Sequence, residues 1–550
     1  MIRRDILIMK RFSDRIYQFC YTALKIISLV LAALLFLGSF FSTSYSEDML
    51  SQTVLFRLDN PLWGVLGIAF FFFICYRIMG ARKLHVKGMT AAVLLWCCVL
   101  GWTLAFWGRT VPAADAMSVY LAAGDLAEGQ TTAITPDNSY FSYYPQQMGL
   151  VAFFELLIRF WNLLPISLHA WHFIKCLYVL LACVIIFFQK EILHLIWKND
   201  RIDCIYLLLA GINFPFIMYT SFVYGEIPSY AFVSAGLYFL LRFAWTDSGS
   251  RRFLFGAAAI VLLSGGVALR KNNLIFIIAV LIVMFLQFLR ERKLHQICFL
   301  FLCAICSFGI QPCIQRVYEL RAGNYLREGV PPVSYLAMGM QDTPGNRCVG
   351  WYNGFNVFTY EEAGMDTRAA SAVSREVIRE RLSYFRDHLD YAVVFYMKKH
   401  LSQWADGTYA SRQATLATFG GRNPFFQSLY EGTYSRYFIE YANLYQNVLY
   451  LGLLLFCIFQ CRRRAVPKET VVGREEKAAN PEKDRDRERE RDLLIWVGII
   501  GIIGGFLFHI IWEANSRYIL LYSLTMMPYA AQGIYAVLQI KRRPGREIEI

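Results

Sequence analysis

The sequence predicts an all-α polytopic membrane protein with about 12–13 transmembrane helices and a small, mostly helical extracytoplasmic domain. Three observations carry that prediction. Of the 550 residues, 57% are hydrophobic and 16% aromatic, whereas soluble domains average roughly 45–50% apolar. Apolar runs of about 17–22 residues recur along the chain, long enough to cross about 30 Å of hydrocarbon as helix. They lack the alternation of outer-membrane barrel strands.

The first run, 20–41, follows Arg3, Arg4, Lys10, Arg11 and Arg15. Such a start resembles a signal sequence, but the run is longer than a signal core and further spans follow, so it reads as an uncleaved first helix. Further spans are expected at 61–78, 90–107, 168–188, 204–223, 227–245, 253–269, 273–290, 295–312, 441–460, 493–511 and 518–539. Residues 148–164 form a shorter apolar piece with Arg159 inside it. It is expected to be juxtamembrane or re-entrant.

Loop charges then set the orientation. Arg77, Arg82, Lys83 and Lys87 fall on one face with Lys190, Lys198 and Arg201, with Arg251 and Arg252, and with Arg290, Arg292 and Lys293. Arg462 to Arg464 and Lys541 to Arg543 join them. Positive loops mark the cytoplasmic side, and that parity holds only if 148–164 does not cross. The same rule accounts for the net charge of +14, so nucleic acid is not an expected partner. The 14 cysteines lie mostly inside apolar runs and read as small core residues. Cys313 and Cys348, in or beside a polar region, neither demand nor forbid a disulfide.

The chain accordingly divides into an N-terminal membrane module, 1–312, with an outer loop at 108–147; an extracytoplasmic domain, 313–440; a span, 441–460; a charged cytoplasmic linker, 461–492; and a C-terminal membrane hairpin with a basic tail, 493–550. The extracytoplasmic domain begins turn-rich. From Thr367 to His400 it turns helical, with Val373, Val377, Ile378, Leu382, Phe385 and Leu389 at three- and four-residue spacing. The linker mixes charge with almost no apolar residue and reads as solvated and without fixed structure. No internal repeat is evident, which weakens readings based on inverted-repeat transporters.

With this topology the polar clusters converge on the outer face. Loop 108–147 carries Asp115, Asp125, Glu128 and Asp137. It is long for a connection, and such loops are usually functional or unstructured. Arg270 and Lys271 end one span. A pair of cations there suits a phosphate, and headgroup snorkelling is the plainer alternative. Tyr224–Gly225–Glu226 breaks two spans. Glu226 could contact a sugar or aid a base, or it could simply be a helix-start acid favoured by the dipole. Glu513, Arg517 and Tyr518 lie between the last two spans, where an ion pair fixing the loop is the alternative to a site. His169 and His172 stand three apart with no further ligand, so they read as packing rather than metal.

Asp115, Tyr120 and Gly129, followed by Tyr143-Tyr144-Pro145-Gln146 and an apolar element, resemble the polyprenyl-phosphate-sugar-dependent glycosyltransferases of the type-C membrane fold. The nearest groups are the protein O-mannosyltransferases and the aminoarabinose transferases of lipid A, in glycosyltransferase family 39 terms. The resemblance covers roughly residues 90–290 and the Glu513–Tyr518 end. It implies that Asp115 is the base taking the acceptor proton, that Arg270, Lys271 and Arg517 hold the donor phosphate, and that Tyr120, Tyr144, Glu226, Glu513 and Tyr518 contact sugar or acceptor. Many members carry two adjacent acids. Here Ala114 precedes Asp115, which leaves Asp125 and Glu128 as candidates for the second.

The expected activity is inverting transfer of a sugar from a polyprenyl-phosphate donor to an acceptor hydroxyl of an envelope glycan, lipid or protein, at the outer face of a bacterial-type cell membrane. No cofactor or metal is indicated. The absence of P-loop, GxGxxG and GxSxG patterns fits a lipid-linked donor. The alternatives are a flippase for a lipid-linked glycan and a non-enzymatic scaffold.

Overall fold

The computed structural model describes residues 2–46, 53–81, 83–137, 140–342, 348–416, 423–462 and 481–540, with side chains from residue 17 onward and, after the linker, over 494–539. Arg82, Arg463, Arg464 and Lys541 to Arg543 of the basic loops therefore lie outside the described residues, as does 463–480 of the linker.

Ten helices among the described residues are long and apolar enough to cross a membrane: Tyr17–Phe41, Pro61–Gly80, Val86–Trp107, Ala170–Trp197, Glu226–Trp245, Gly249–Leu269, Lys271–Glu291, Leu294–Ala322, Thr433–Arg462 and Leu494–Ile511. The chain is an all-α polytopic membrane protein. Burial separates centre from periphery. The most apolar window of Thr433–Arg462 is 67% buried, whereas that of Leu294–Ala322 is 17% buried and faces outward.

The remaining two expected spans differ. At 204–223 the helix breaks into Asp200–Gly211 and Phe214–Ser221, bent by 56°. The cause is local. Asn213 Oδ1 accepts from Phe216 N at 3.1 Å, and Pro215 in the next turn cannot donate into a continuous ladder. At 518–539 the helix Leu520–Ile540 contains Pro528, Gln532, Ser523 and Thr525, and most of its face is buried. A helix enclosed by other helices need not be apolar all round. Its Gly533 lies against Gly452 O of the 433–462 helix so closely that a Cβ would collide, the small-residue packing common in membrane bundles.

Residues Met148–Asn162 form a 15-residue helix, about 22 Å long, short of the hydrocarbon thickness. Arg159 is not stranded there. Its Nε donates to Glu155 at 2.7 Å and its Nη2 to Leu126 O at 2.7 Å. Arg321 Nη1 joins Glu155 at 2.6 Å and Tyr318 Oη donates to the other carboxylate oxygen at 2.5 Å. Arg321 Nη2 also donates to Leu126 O. Two cations thus close the carbonyl end of the Asp115–Ala127 helix.

Loop 108–147 is largely ordered. Asp115–Ala127 is a helix whose Ala116, Val119, Tyr120, Ala123 and Leu126 are buried, a helical period overlooked beneath the loop's acids.

The region between the Leu294–Ala322 and Thr433–Arg462 helices is mostly helical: Pro332–Met338, Phe355–Glu362, Thr367–Asp387, Leu389–Trp404, Ser411–Leu416 and Pro424–Tyr430. Its expected edges move. Residue 313 falls inside a helix that runs to Ala322 and ends at Gly323, φ +64, a left-handed cap that glycine adopts freely. The following span starts at Thr433 rather than 441. The apolar stripe of 367–389 is only half used. Phe385 is buried, while Val373, Leu382 and Leu389 are exposed. A short antiparallel hairpin, Ser42–Ser46 with Val54–Leu58, docks here through Ser44 N to Ala405 O at 3.0 Å. Its polar first strand, STSYS, gave no period to read.

From Pro481 the charged linker is helical and continues unbroken to Ile511. Closely alternating Glu and Arg are compatible with helix, a preference that the charged composition had concealed. Cys313 and Cys348 are both free.

Candidate functional site

The site begins where the Val86–Trp102 helix loosens into a π-turn, Thr103–Trp107. Lys175, buried on the next long helix, donates from Nζ to Ala105 O at 3.1 Å and lies 3.4 Å from Thr110 O. Trp171 Nε1 donates to Thr110 O at 2.8 Å. The chain so held turns through Arg109 at φ +50 and Ala114 at φ +50. Ala114, at ψ −133, occupies a region in which an L-residue costs about 1–3 kcal/mol. Asp115 follows at once, exposed, at the first position of its helix, where the helix dipole favours its charge. Strain immediately before a candidate base is the kind of outlier that marks functional backbone.

Two further turns meet beside it. Gly225 lies so close to Leu269 O that a Cβ would sit 2.9 Å away, so the 223–226 and 269–273 turns pack backbone to backbone. That contact sets Arg270 Nη1 2.9 Å from Glu226 Oε1. Arg517 Nε lies 3.6 Å from the same oxygen. Both guanidinium groups lie over Tyr518, and Arg270 also over Tyr224. Glu226 is 1% exposed. Neither of its carboxylate oxygens, nor Arg517 Nε, has hydrogen-bond geometry with any described residue.

The region 323–432 packs against the 513–518 turn. Trp351 bridges to Ala514, and Ala514 N donates to Gly350 O at 2.8 Å. Asn515 caps Arg517 N at 2.9 Å. Ser516 Oγ donates to the buried Asp406 at 2.6 Å. Glu513, thus held, accepts from Tyr518 Oη at 3.3 Å. Burial pushes its carboxyl up to about 7, against the pull of Arg517 and Tyr518. Burial opposes the charge on Arg517, yet Glu226 and three tyrosines hold it above the usual arginine range. Lys399, buried and donating to Gly339 O, is pushed down to about 7 by burial, with Glu513 opposing.

Asp115 is within electrostatic reach of Tyr140, Tyr144, Tyr224 and Glu513. Gln147 donates to Tyr224 Oη, and Val330 N donates to Tyr143 O at 3.0 Å. The fold therefore gathers Asp115, Tyr144, Glu226, Arg270, Glu513, Arg517 and Tyr518 at one end of the bundle.

Other sequence candidates stand apart. Lys271 is exposed beside Arg270. Tyr120 points into the packing, with its hydroxyl 3.2 Å from His169 Nδ1 and its ring against Trp171 and Phe154. His172 stacks on Phe106. Asp125 lies about 15 Å along the helix from Asp115, so it does not pair with it. The acid that reaches Asp115 is Glu513.

Sequence reasoning missed Tyr140 and Lys399. Lys399 sits in the run Met397-Lys398-Lys399-His400, which looks like a solvated face. Only the fold reveals that one of its two lysines is enclosed.

A family model described as "Conserved hypothetical integral membrane protein" matches residues 9–418. No curated protein matches the chain. Among solved structures, the apo oligosaccharyltransferase of Archaeoglobus fulgidus aligns with a TM-score of 0.38 and 12% identity, over 84% of this chain and 53% of that one. The present chain thus spans about half the length of that protein.

Proposed function

The chain belongs to the conserved hypothetical integral membrane protein family, and we propose that it is a glycosyltransferase of the type-C, family-39-like kind, moving a sugar from a polyprenyl-phosphate donor to an acceptor hydroxyl. The observation that carries this reading is the company Asp115 keeps. An exposed carboxylate directly follows a strained residue and lies within electrostatic reach of Tyr224, as do two guanidinium groups that share one under-bonded acid, at the end of a lipid-embedded bundle.

The chemistry assigns the parts. Arg270 and Arg517 supply fork-like donors for the donor phosphate, with exposed Lys271 at the entry. Glu226 holds both guanidinium groups in place, and Arg517 Nε, which makes no hydrogen bond among the described residues, can donate to the phosphate. Asp115 accepts the acceptor hydroxyl proton as the new bond forms. The phosphate departs as a stable anion, so protonation of the leaving group matters less. One displacement opposite that phosphate inverts the anomeric carbon. Tyr144, Tyr518 and Glu513 line the sugar side, and Glu513 is the second acid. The basic loops at the other end support an extracytoplasmic position for this site.

Native mass spectrometry of the purified protein with a polyprenyl phosphate, the carrier without its sugar, tests the phosphate assignment. Wild type should retain the lipid, and an Arg270→Ala/Arg517→Ala variant should lose it. Equal retention of the phosphate and of the matching polyprenol by wild type contradicts the assignment.

A further inference from the structure

The Ala170–Trp197 helix starts beside the site just described and ends about 40 Å away, at a second cluster of a different kind. His194 lies in its last turn. Lys198, at φ +48, reverses the chain. Asn199 then caps the Asp200–Gly211 helix, accepting from Arg201 N at 3.0 Å, and its Nδ2 donates to Tyr535 Oη at 2.9 Å. This anchored turn brings Asp200 and Asp203 back over His194. One ligand atom from each of the three lies within 4.8 Å of the others, and no other group of three or more His, Cys, Asp or Glu among the described residues does so.

Asp203 makes the cluster more than an acidic patch. It is 0% exposed. Its Oδ2 lies 2.6 Å from His194 Nδ1, but its Oδ1 has no hydrogen-bond partner. A carboxylate can accept about four hydrogen bonds, and burying one so poorly served is costly. The nearby Lys190 is committed elsewhere, to Glu191 at 2.7 Å. Asp200 is exposed, and His194 is 42% exposed, so solvent can complete a coordination shell.

We propose that His194, Asp200 and Asp203 form a binding site for a divalent first-row transition cation. Two carboxylates balance the charge of such an ion and accept manganese, and an imidazole nitrogen favours iron or zinc over magnesium or calcium. Ligand atoms of a six-coordinate ion with bonds of about 2.1 Å lie about 3–4 Å apart, a range inside the 4.8 Å limit that these three atoms already meet. The ion would staple the last turn of one helix to the first turn of the next, at the root of the bent 200–221 segment.

The test uses tag-free, full-length protein in detergent, titrated with Mn²⁺ and followed by the loss of its free-ion paramagnetic resonance signal. Mn²⁺ is chosen because the free thiols of the chain prefer softer metals. Wild type should bind one more equivalent than His194→Ala and than Asp200→Asn, with affinity at least about tenfold higher, and Zn²⁺ should displace it. Asp200 is exposed, so its amide variant keeps the fold. Asp115→Asn should bind Mn²⁺ as wild type does. Three results overturn the proposal: no binding by wild type, undiminished binding by both the His194 and Asp200 variants, or loss of the equivalent in Asp115→Asn instead.

Discussion

Two carboxylates in this molecule each face two arginines, and they are treated in opposite ways. Glu155 receives Arg159, Arg321 and the Tyr318 hydroxyl, and both of its oxygens are hydrogen-bonded. Glu226 has Arg270 at 2.9 Å and Arg517 at 3.6 Å, and neither of its oxygens is hydrogen-bonded. The residue types match, and in both cases chain-distant segments are joined. A completed network rigidifies a fold, whereas a buried polar group left short of partners calls for an explanation. Glu155 behaves as a staple across the base of the Asp115–Ala127 helix. Glu226, buried with neither oxygen hydrogen-bonded, leaves its network open, which is what the proposed phosphate site requires.

Breaking one member of each network should separate the two roles. Arg517→Gln leaves Glu226 paired with Arg270. It should reduce transfer by about 10²–10³-fold, the scale of removing one preorganised charge-stabilising donor, while shifting thermal unfolding little. Glu155→Gln should do the reverse. It weakens charged hydrogen bonds worth about 1.5–3 kcal/mol, lowering the unfolding temperature while activity per folded molecule is preserved. Turnover and scanning fluorimetry on the same preparations read both. If each variant lost both properties equally, the contrast would have no functional content.

A pH series sharpens the comparison next. Glu513 titrates near 7 in the fold, above the usual 4.5 for glutamate, chiefly because it is buried. A raised carboxyl holds its proton more tightly folded than unfolded. Its contribution is therefore fully present below about 4.5, is lost as pH rises toward 7, and is constant above that. Over that window wild type should lose up to about 3 kcal/mol from this group, and Glu513→Gln should show a flatter profile. Parallel profiles for the two proteins would place the proton elsewhere.

The smallest effect is expected at Tyr120. Its hydroxyl meets His169 rather than the Arg270–Arg517 cluster, so Tyr120→Phe should cost about 0.5–1.5 kcal/mol of stability and leave the kcat of transfer unchanged. A large drop in kcat would return Tyr120 to the site.

These contrasts also explain what could be read from the chain. Asp115, Glu226, Arg270, Glu513 and Arg517 were legible because each is a charge at the end of an apolar run, and membrane topology places such ends together. Their pairing was not, because it depends on Gly225 meeting Leu269 across two loops. The apolar runs located the ten long spans and the Leu520–Ile540 helix, but not the bend at Asn213 or how polar and enclosed that last helix is, since hydropathy does not register what a helix packs against. The Asp115–Ala127 helix escaped for a related reason. Its period rests on alanines, whose small side chains give a weak signal beside acids. Lys399 and Tyr120 show the converse: residue type alone points each to the wrong environment.

The most direct test of the central claim is mass spectrometry of lipid-linked sugars from cells with the protein, without it, and with only Asp115→Asn. If Asp115 is the base of a polyprenyl-phosphate-sugar transferase, one such sugar lipid accumulates in both the deletion and the variant, and returns to its normal level with wild type. An unchanged lipid pool in all three, with the variant protein folded and present, would contradict the transferase reading.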